Sequence, residues 1–275
     1  MLSSQSFEAT PISNSGNSAF SVMYNAATRA GDTLIERFKE DKYISFKGRA
    51  DVVTDVDIDV ERQIIAYLQS EYVGFGIHAE ESQPIQGNSG YTWVIDPLDG
   101  TRNYSLGIPF FSVVIALCRE GEVIMGVTYD PIRKEMFHAV KGQGAFLNDE
   151  AINVSEKNNL QDALLGYDLG YVDADASKAI ELILSLWPNI QGTRILGSAA
   201  LGIAYASCGR LDLYFHHRLS PWDLASGILI AREANGIVTD KYSVDASLDS
   251  ESIIVSNQGL HRNFIRATEG LAWRT

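Results

Sequence analysis

Residues 93–104 read WVIDPLDGTRNY. An apolar run ends in Asp96-Pro97-Leu98-Asp99, followed by Gly100 and Thr101. Pro97 fixes φ and has no N–H, so a strand entering at Trp93 is expected to stop at Asp96. Gly100 lets the backbone approach a ligand closely. Two readings stand at this point. One is an Asp-Pro surface turn closed by glycine. The other is an all-oxygen set from Asp96, the Leu98 carbonyl and Asp99, the kind that a hard cation such as Mg²⁺ takes.

Other acids bear on the choice. HAEES (78–82) places Glu80 and Glu81 just past the strand-like GFGI. DVVTDVD (51–57) places Asp51, Asp55 and Asp57 ahead of a helix, and SPWDLASG (220–227) places Asp223 at a helix start beside Trp222. Asp55, Asp57 or Asp223 could each be an N-cap. Asp55, Asp59 and Glu61 are read as helix-start or solvated charges. Taken together, the acids are costly without a cation. Two carboxylates about 5 Å apart repel by roughly 3 kcal/mol at an effective dielectric near 20. Three or four that converged would protonate or separate unless a metal neutralised them. A metal is therefore inferred, with convergence in space as the expectation to be met.

The chain has 275 residues and a net charge of −13, enough for one large domain or two packed subdomains. Such a field repels nucleic acid and anionic membranes, and neither is expected as a partner. The same field disfavours anionic substrates unless a bound cation reverses the local sign. Two distant cysteines, Cys118 and Cys208, fit reduced thiols in a cytoplasmic protein. No apolar run approaches the roughly 20 residues of a membrane span. The opening MLSSQSFEATPISNSGNS carries neither a basic start nor an apolar stretch, so residues 1–16 are expected to be a flexible lead-in rather than a signal.

Helical spacing predicts helices near 17–40, 57–71, 175–187, 198–209 and 222–236, the last two ended by Gly209 and by Asn235-Gly236. Strands are predicted at 91–96, 110–118 and 122–130, in EMFHAV and GAFLN, and later in ALLGYD, GTRILG, LDLYFHH, GIVTD and ESIIVS. FFSVVIALC is too apolar for a half-exposed strand. Turn residues Gly142, Gly144, Asn148 and Asp149 suggest a boundary, with segment 17–150 carrying most of the acids and segment 151–275 carrying Asp223. A meander followed by strand–helix alternation predicts a layered α+β fold.

The pattern as a whole resembles the inositol monophosphatase family. DPLDGTRNY resembles its D-P-[IL]-D-G-T-x-N-[FY] signature, AEES its G-E-E-S segment, DVVTDVD its D-x-V-T-x-x-D segment, and SPWDLASGILIAREANG its W-D-x-A-x-G segment. The order agrees, and the likeness spans about residues 17–270. It implies a five-layered α-β-α-β-α sandwich shared with fructose-1,6-bisphosphatase, usually a dimer, in which metal-activated water hydrolyses a phosphomonoester. It also implies two to three Mg²⁺ ions and sensitivity to lithium. Carried over by motif, Glu80, Asp96 and the Leu98 carbonyl would hold one ion, and Asp96, Asp99 and Asp223 a second. A third would sit near Glu80. The amides of Gly100 and Thr101 would hold phosphate oxygens, and Asp57 would accept the Thr101 hydroxyl. Arg194, Gly197, Ser198, Ala199 and Asp99 would belong to the substrate wall.

One departure concerns the substrate. Inositol-specific members carry a glutamate seven residues before the last metal-binding aspartate, and this chain has His216 there. His216 is either a solvent-exposed imidazole at a strand end or a changed substrate contact. Inositol monophosphate or a related polyol or sugar phosphate is the expected substrate. Fructose 1,6-bisphosphate, histidinol phosphate and a 3′-phosphoadenosine nucleotide are alternatives for the same site, and a silent binding protein on this fold is the non-enzymatic one. His78 replaces the usual glycine of the G-E-E-S segment, while His138 and His261 are read as structural or surface residues.

Overall fold

The computed structural model describes residues 11–48 and 51–275. The expectation of a flexible lead-in over residues 1–16 falls largely on residues 1–10, outside the described residues. Within them, Asn14 N–H donates to the Glu71 carbonyl at 2.8 Å.

The chain begins with α1 (Ala19–Arg37), capped by Ser18, whose hydroxyl accepts the Ser21 N–H. A hairpin of β1 (Ile44–Gly48) and β2 (Asp51–Thr54) leads into α2 (Asp55–Glu71). Then come β3 (Gly76–Ala79), β4 (Tyr91–Asp99), the short α3 (Thr101–Ser105), β5 (Ser112–Arg119), β6 (Glu122–Asp130), β7 (Glu135–Val140), β8 (Ala145–Leu147) and β9 (Glu150–Ala151). The remainder alternates: β10 (Leu164–Tyr167), α4 (Asp173–Leu186), β11 (Gly192–Ile195), α5 (Ala199–Ser207), β12 (Leu213–His216), α6 (Pro221–Glu233), β13 (Ile237–Thr239), β14 (Ile253–Ser256) and α7 (Gln258–Ala267).

Strands β3 to β9 form one sheet in sequence order, antiparallel except for the β3–β4 pair. A second sheet runs β11-β10-β12-β14-β13, parallel among its first three strands. One face of the first sheet packs on α1 and α2 through Val22, Ala26, Ile64 and Leu68 against Ile115 and Val127. The other face meets Leu201 and Leu229 of α5 and α6 through Phe137 and Ala139. The reverse side of α5 and α6 covers the second sheet, and α4 and α7 close its far face around Leu165, Phe215 and Phe264. The result is five layers, α-β-α-β-α. Helices on both faces explain β5, whose residues 113–118 are all buried and therefore apolar throughout rather than alternating. Cys118 and Cys208 are both free thiols.

Candidate active site

The first sheet does not lose β4 at Asp96. The strand continues to Asp99, correcting the expectation that Pro97 would end it. Asp96 pairs with Val114 and Asp99 with Ser112, so β4 spends three steps where β5 spends two. That bulge absorbs Pro97 and turns the next side chains out of the ladder's alternation. Asp96 and Asp99 are buried, and Leu98 N–H donates to Asp96 Oδ1 at 2.9 Å.

Carboxylate oxygens of Asp96, Asp99 and Asp223 lie within 4.8 Å of one another. Asp223 arrives from the first turn of α6, where its Oδ2 accepts the Ser220 N–H at 2.7 Å. Asp57 arrives from the first turn of α2, where its Oδ2 accepts the Thr54 N–H at 2.9 Å. Neither acid is the N-cap itself. Thr54 and Ser220 are the caps, and each acid reaches back from the third helical position, which fixes one oxygen and leaves the other for a different partner. Glu80 follows β3, whose Ala79 is in register with Ile95, and this brings Glu80 beside Asp96.

The electrostatics record this crowding. Burial, then the charges of Glu80, Asp99 and Asp223, raise the Asp96 carboxyl well above the ordinary aspartate range. Burial also raises Asp99, opposed by its donors: the Ser198 and Ser112 hydroxyls and the amides of Ala199, at 3.0 Å, and Ala200, at 3.2 Å. Three carboxyl groups so placed, with no lysine or arginine bonded to Asp96 or Asp99 among the described residues, form a donor set of hard oxygens that suits Mg²⁺.

Gly100 has φ +91°, and a Cβ there would stand 3.1 Å from the Gly197 carbonyl and 3.2 Å from the Phe110 carbonyl. Only glycine fits a left-handed turn pressed between two backbones. Thr101, the next residue, is buried, with Oγ1 2.9 Å from both Asp57 Oδ1 and the Leu98 carbonyl. Burial pushes Asp57 up to about 6, against the pull of hydrogen bonds from Thr54 and Thr101.

The expected substrate wall divides. Ser198 and Ala199 touch Asp99 directly, and Gly197 stands against Gly100. Arg194 is exposed on edge strand β11, its Nη1 bonded to the Thr193 carbonyl. His216 is not exposed to solvent, as one reading of it required. It is 4% exposed, its ring stacks on His217 with centroids 5.0 Å apart, and its Nδ1 accepts the Arg218 N–H at 3.1 Å. Burial, with the neighbouring His217, pushes it down to about 3. It is therefore a neutral imidazole carrying its proton on Nε2. His78 packs edge-on against Trp222, joining β3 to the start of α6. His261 is buried against Thr239, and His138 bonds the Asn148 carbonyl, both as structural residues.

Two further acids escaped the sequence reading. Glu61 is 2% exposed rather than solvated, and its Oε2 accepts the Glu81 N–H at 2.7 Å, next to Glu80. The signal was present: Asp57, Glu61, Ile64 and Leu68 recur at helical spacing on one buried stripe. Asp168, just past β10, is buried and accepts the Leu196 and Gly197 amides. Its signal was an acid at the carboxyl end of a parallel strand, where α/β sheets place their sites.

Comparison with known proteins agrees with this fold. The model of the inositol monophosphatase family matches residues 17–271. An inositol-1-monophosphatase of Mesorhizobium japonicum is 36% identical over 253 residues, covering 90% of this chain and 95% of its own. A Nus factor SuhB of Xylella fastidiosa is 39% identical over 233 residues, 83% of this chain and 84% of its own. The crystal structure of the extragenic suppressor protein suhB from Bartonella henselae superposes with a TM-score of 0.88 at 36% identity, over 91% of this chain and 98% of that one. The chain belongs to the inositol monophosphatase family and is a phosphoric monoester hydrolase.

Proposed function

We propose that this enzyme hydrolyses a small phosphomonoester with Mg²⁺, inositol monophosphate or a related polyol or sugar phosphate being the substrate class. The observation that carries the reading is the meeting of Asp96, Asp99 and Asp223 beside the Thr101–Asp57 pair. Asp96, Asp99, Asp223, Glu80 and the Leu98 carbonyl are the residues that would hold two to three Mg²⁺ ions. Bound Mg²⁺ supplies Lewis-acid neutralisation of the phosphate and its leaving oxygen.

The protein's own groups do the rest. Thr101 donates its hydroxyl hydrogen bond to Asp57, which leaves an oxygen lone pair to accept a hydrogen bond from the attacking water. Asp57, held by Thr54, keeps that hydroxyl in one rotamer; as the water attacks, its proton passes to the Thr101 oxygen while the Thr101 proton moves to the Asp57 carboxylate. Glu80 orients the same water from the β3 side. The amides of Gly100 and Thr101 grip phosphate oxygens at a turn that only glycine can form. Ser198, Ala199 and Gly197 shape the wall, and His216 offers a neutral N–H where a glutamate would offer only acceptors. That difference disfavours strict selection for myo-inositol.

Lithium inhibition and a homodimer accompany the reading. Leu106, Ile108 and Ile195 are exposed apolar side chains near Asn103, and a second copy would cover them. The deciding assay is phosphate release, with and without Mg²⁺, from inositol 1-phosphate, fructose 1,6-bisphosphate, histidinol phosphate and 3′-phosphoadenosine 5′-phosphate. Mg²⁺-dependent turnover of the first supports the reading; turnover of another moves the substrate within it. Silence across the panel in a folded, Mg²⁺-binding sample favours a binding role.

A further inference from the structure

The carboxylate of Asp99 owes its position to a segment that is itself held from two sides. Ser198, Ala199 and Ala200 donate to Asp99, and they follow directly on Leu196 and Gly197. On one side Asn103 Nδ2 donates to the Leu196 carbonyl at 2.9 Å and to the Phe110 carbonyl at 2.8 Å. On the other, a single oxygen of Asp168, Oδ1, accepts the Leu196 N–H at 2.8 Å and the Gly197 N–H at 2.6 Å. Its second oxygen accepts the Tyr214 hydroxyl at 2.9 Å.

Tyr214 has little freedom to move. It is fully buried on β12, and its ring lies so close to α5 that a Cβ on Gly202 would sit 2.2 Å from it. The phenol therefore presents its hydroxyl at one place, and Asp168 occupies that place. Asp168 is 6% exposed, and a carboxylate that far from water persists only where donors replace its hydration. Here three do. The chain thus runs Tyr214, Asp168, the Leu196–Gly197 amides, then the Ser198–Ala200 donors, and ends on Asp99.

We propose that Asp168 is a positioning residue of the active site: with Tyr214 it sets the Leu196–Ala200 segment, and through it the orientation of Asp99 and the substrate wall. The consequence for catalysis rests on the phosphatase reading above; the positioning itself does not. A purely structural Asp168 would close the interior of the second sheet and nothing more.

The test uses the full chain with D168A, D168N and Y214F. Asparagine keeps an oxygen for both amides, and its NH₂ can face a rotated Tyr214 hydroxyl, whereas alanine removes both acceptor oxygens and with them all three hydrogen bonds. Hydrogen exchange over residues 196–200 and Mg²⁺ affinity by calorimetry are read first, then kcat and KM on the substrate the wild type prefers. D168A is expected to speed exchange in that segment by tenfold or more and to weaken Mg²⁺ at least fivefold. KM should rise, D168N should recover most of each loss, and Y214F should fall between. Unchanged exchange and Mg²⁺ affinity in a D168A protein with a lowered Tm would overturn the proposal in favour of the structural role. If D168A does not fold, Y214F decides by the same two readouts, and no change in either overturns it. A wild type that takes up no Mg²⁺ defeats the phosphatase reading instead, and the exchange data still judge Asp168.

Discussion

Thr101 Oγ1 lies 2.9 Å from Asp57 Oδ1, a contact between residues 44 apart in sequence. It joins the first turn of α2 to the turn after β4, and it ties one side chain's ionisation to another's proton. Asp57 can accept that proton only as a carboxylate, and burial has pushed its pKa up to about 6. The sign follows: with Mg²⁺ saturating, turnover should hold above about pH 7 and fall as pH drops through about 6. D57N and T101V should each lower kcat by about 10²–10⁴-fold. A rate that stays level from pH 7 to pH 5 would contradict the assignment.

The crowded carboxylates predict opposite effects on stability and activity. In D96N one buried charge is gone, so the metal-free protein should melt higher. Relief of about 1 kcal/mol corresponds to roughly 2–4 °C for a chain of this size. Mg²⁺ uptake and turnover should vanish in the same variant. Treating the wild type with a chelator should abolish turnover and lower its Tm at pH 7.5. Melting curves with and without Mg²⁺ check both, and a D96N protein that melts lower without metal would argue against repulsion at this site.

Glu61 touches no substrate in this reading, yet it holds the amide beside Glu80. E61A leaves the Glu81 N–H without that acceptor, at a cost of about 1–3 kcal/mol. Mg²⁺ affinity should weaken several-fold, while E61Q, which keeps an oxygen acceptor, should stay close to wild type. Equal Mg²⁺ affinity in E61A and wild type, measured by calorimetry, would show that the turn holds itself.

Gly100 and Gly90 form a matched pair. Both have positive φ, +91° and +78°, but a Cβ on Gly90 meets nothing within 4 Å. G90A should therefore show backbone strain alone, about 1 kcal/mol. G100A adds contact with the Gly197 and Phe110 carbonyls, so kcat/KM should fall more than tenfold. Similar kcat/KM for the two variants would separate the turn from catalysis.

Much of this protein was legible from residue order because the controlling physics is local. The 3.6-residue spacing in α1 and α2, the glycine and Asn-Gly stops of α5 and α6, and the unbroken apolar run 113–118 of β5 follow from which faces must be buried. The acids Asp96, Asp99 and Asp223 stood out because carboxylates at element ends, next to Gly and Pro, are costly without a purpose. The tertiary structure decided what depends on neighbours distant in sequence. It carried β4 past Pro97 by a bulge, since the ladder with β5 outweighed the missing N–H. It buried His216, which a strand-end position alone leaves open, because His217 and the second sheet close around it. It also made Glu61 and Asp168 internal acceptors, because backbone amides 20 and 28 or 29 residues away needed partners where water does not reach. Periodicity reports which face of an element is covered; only the packed fold determines what covers it.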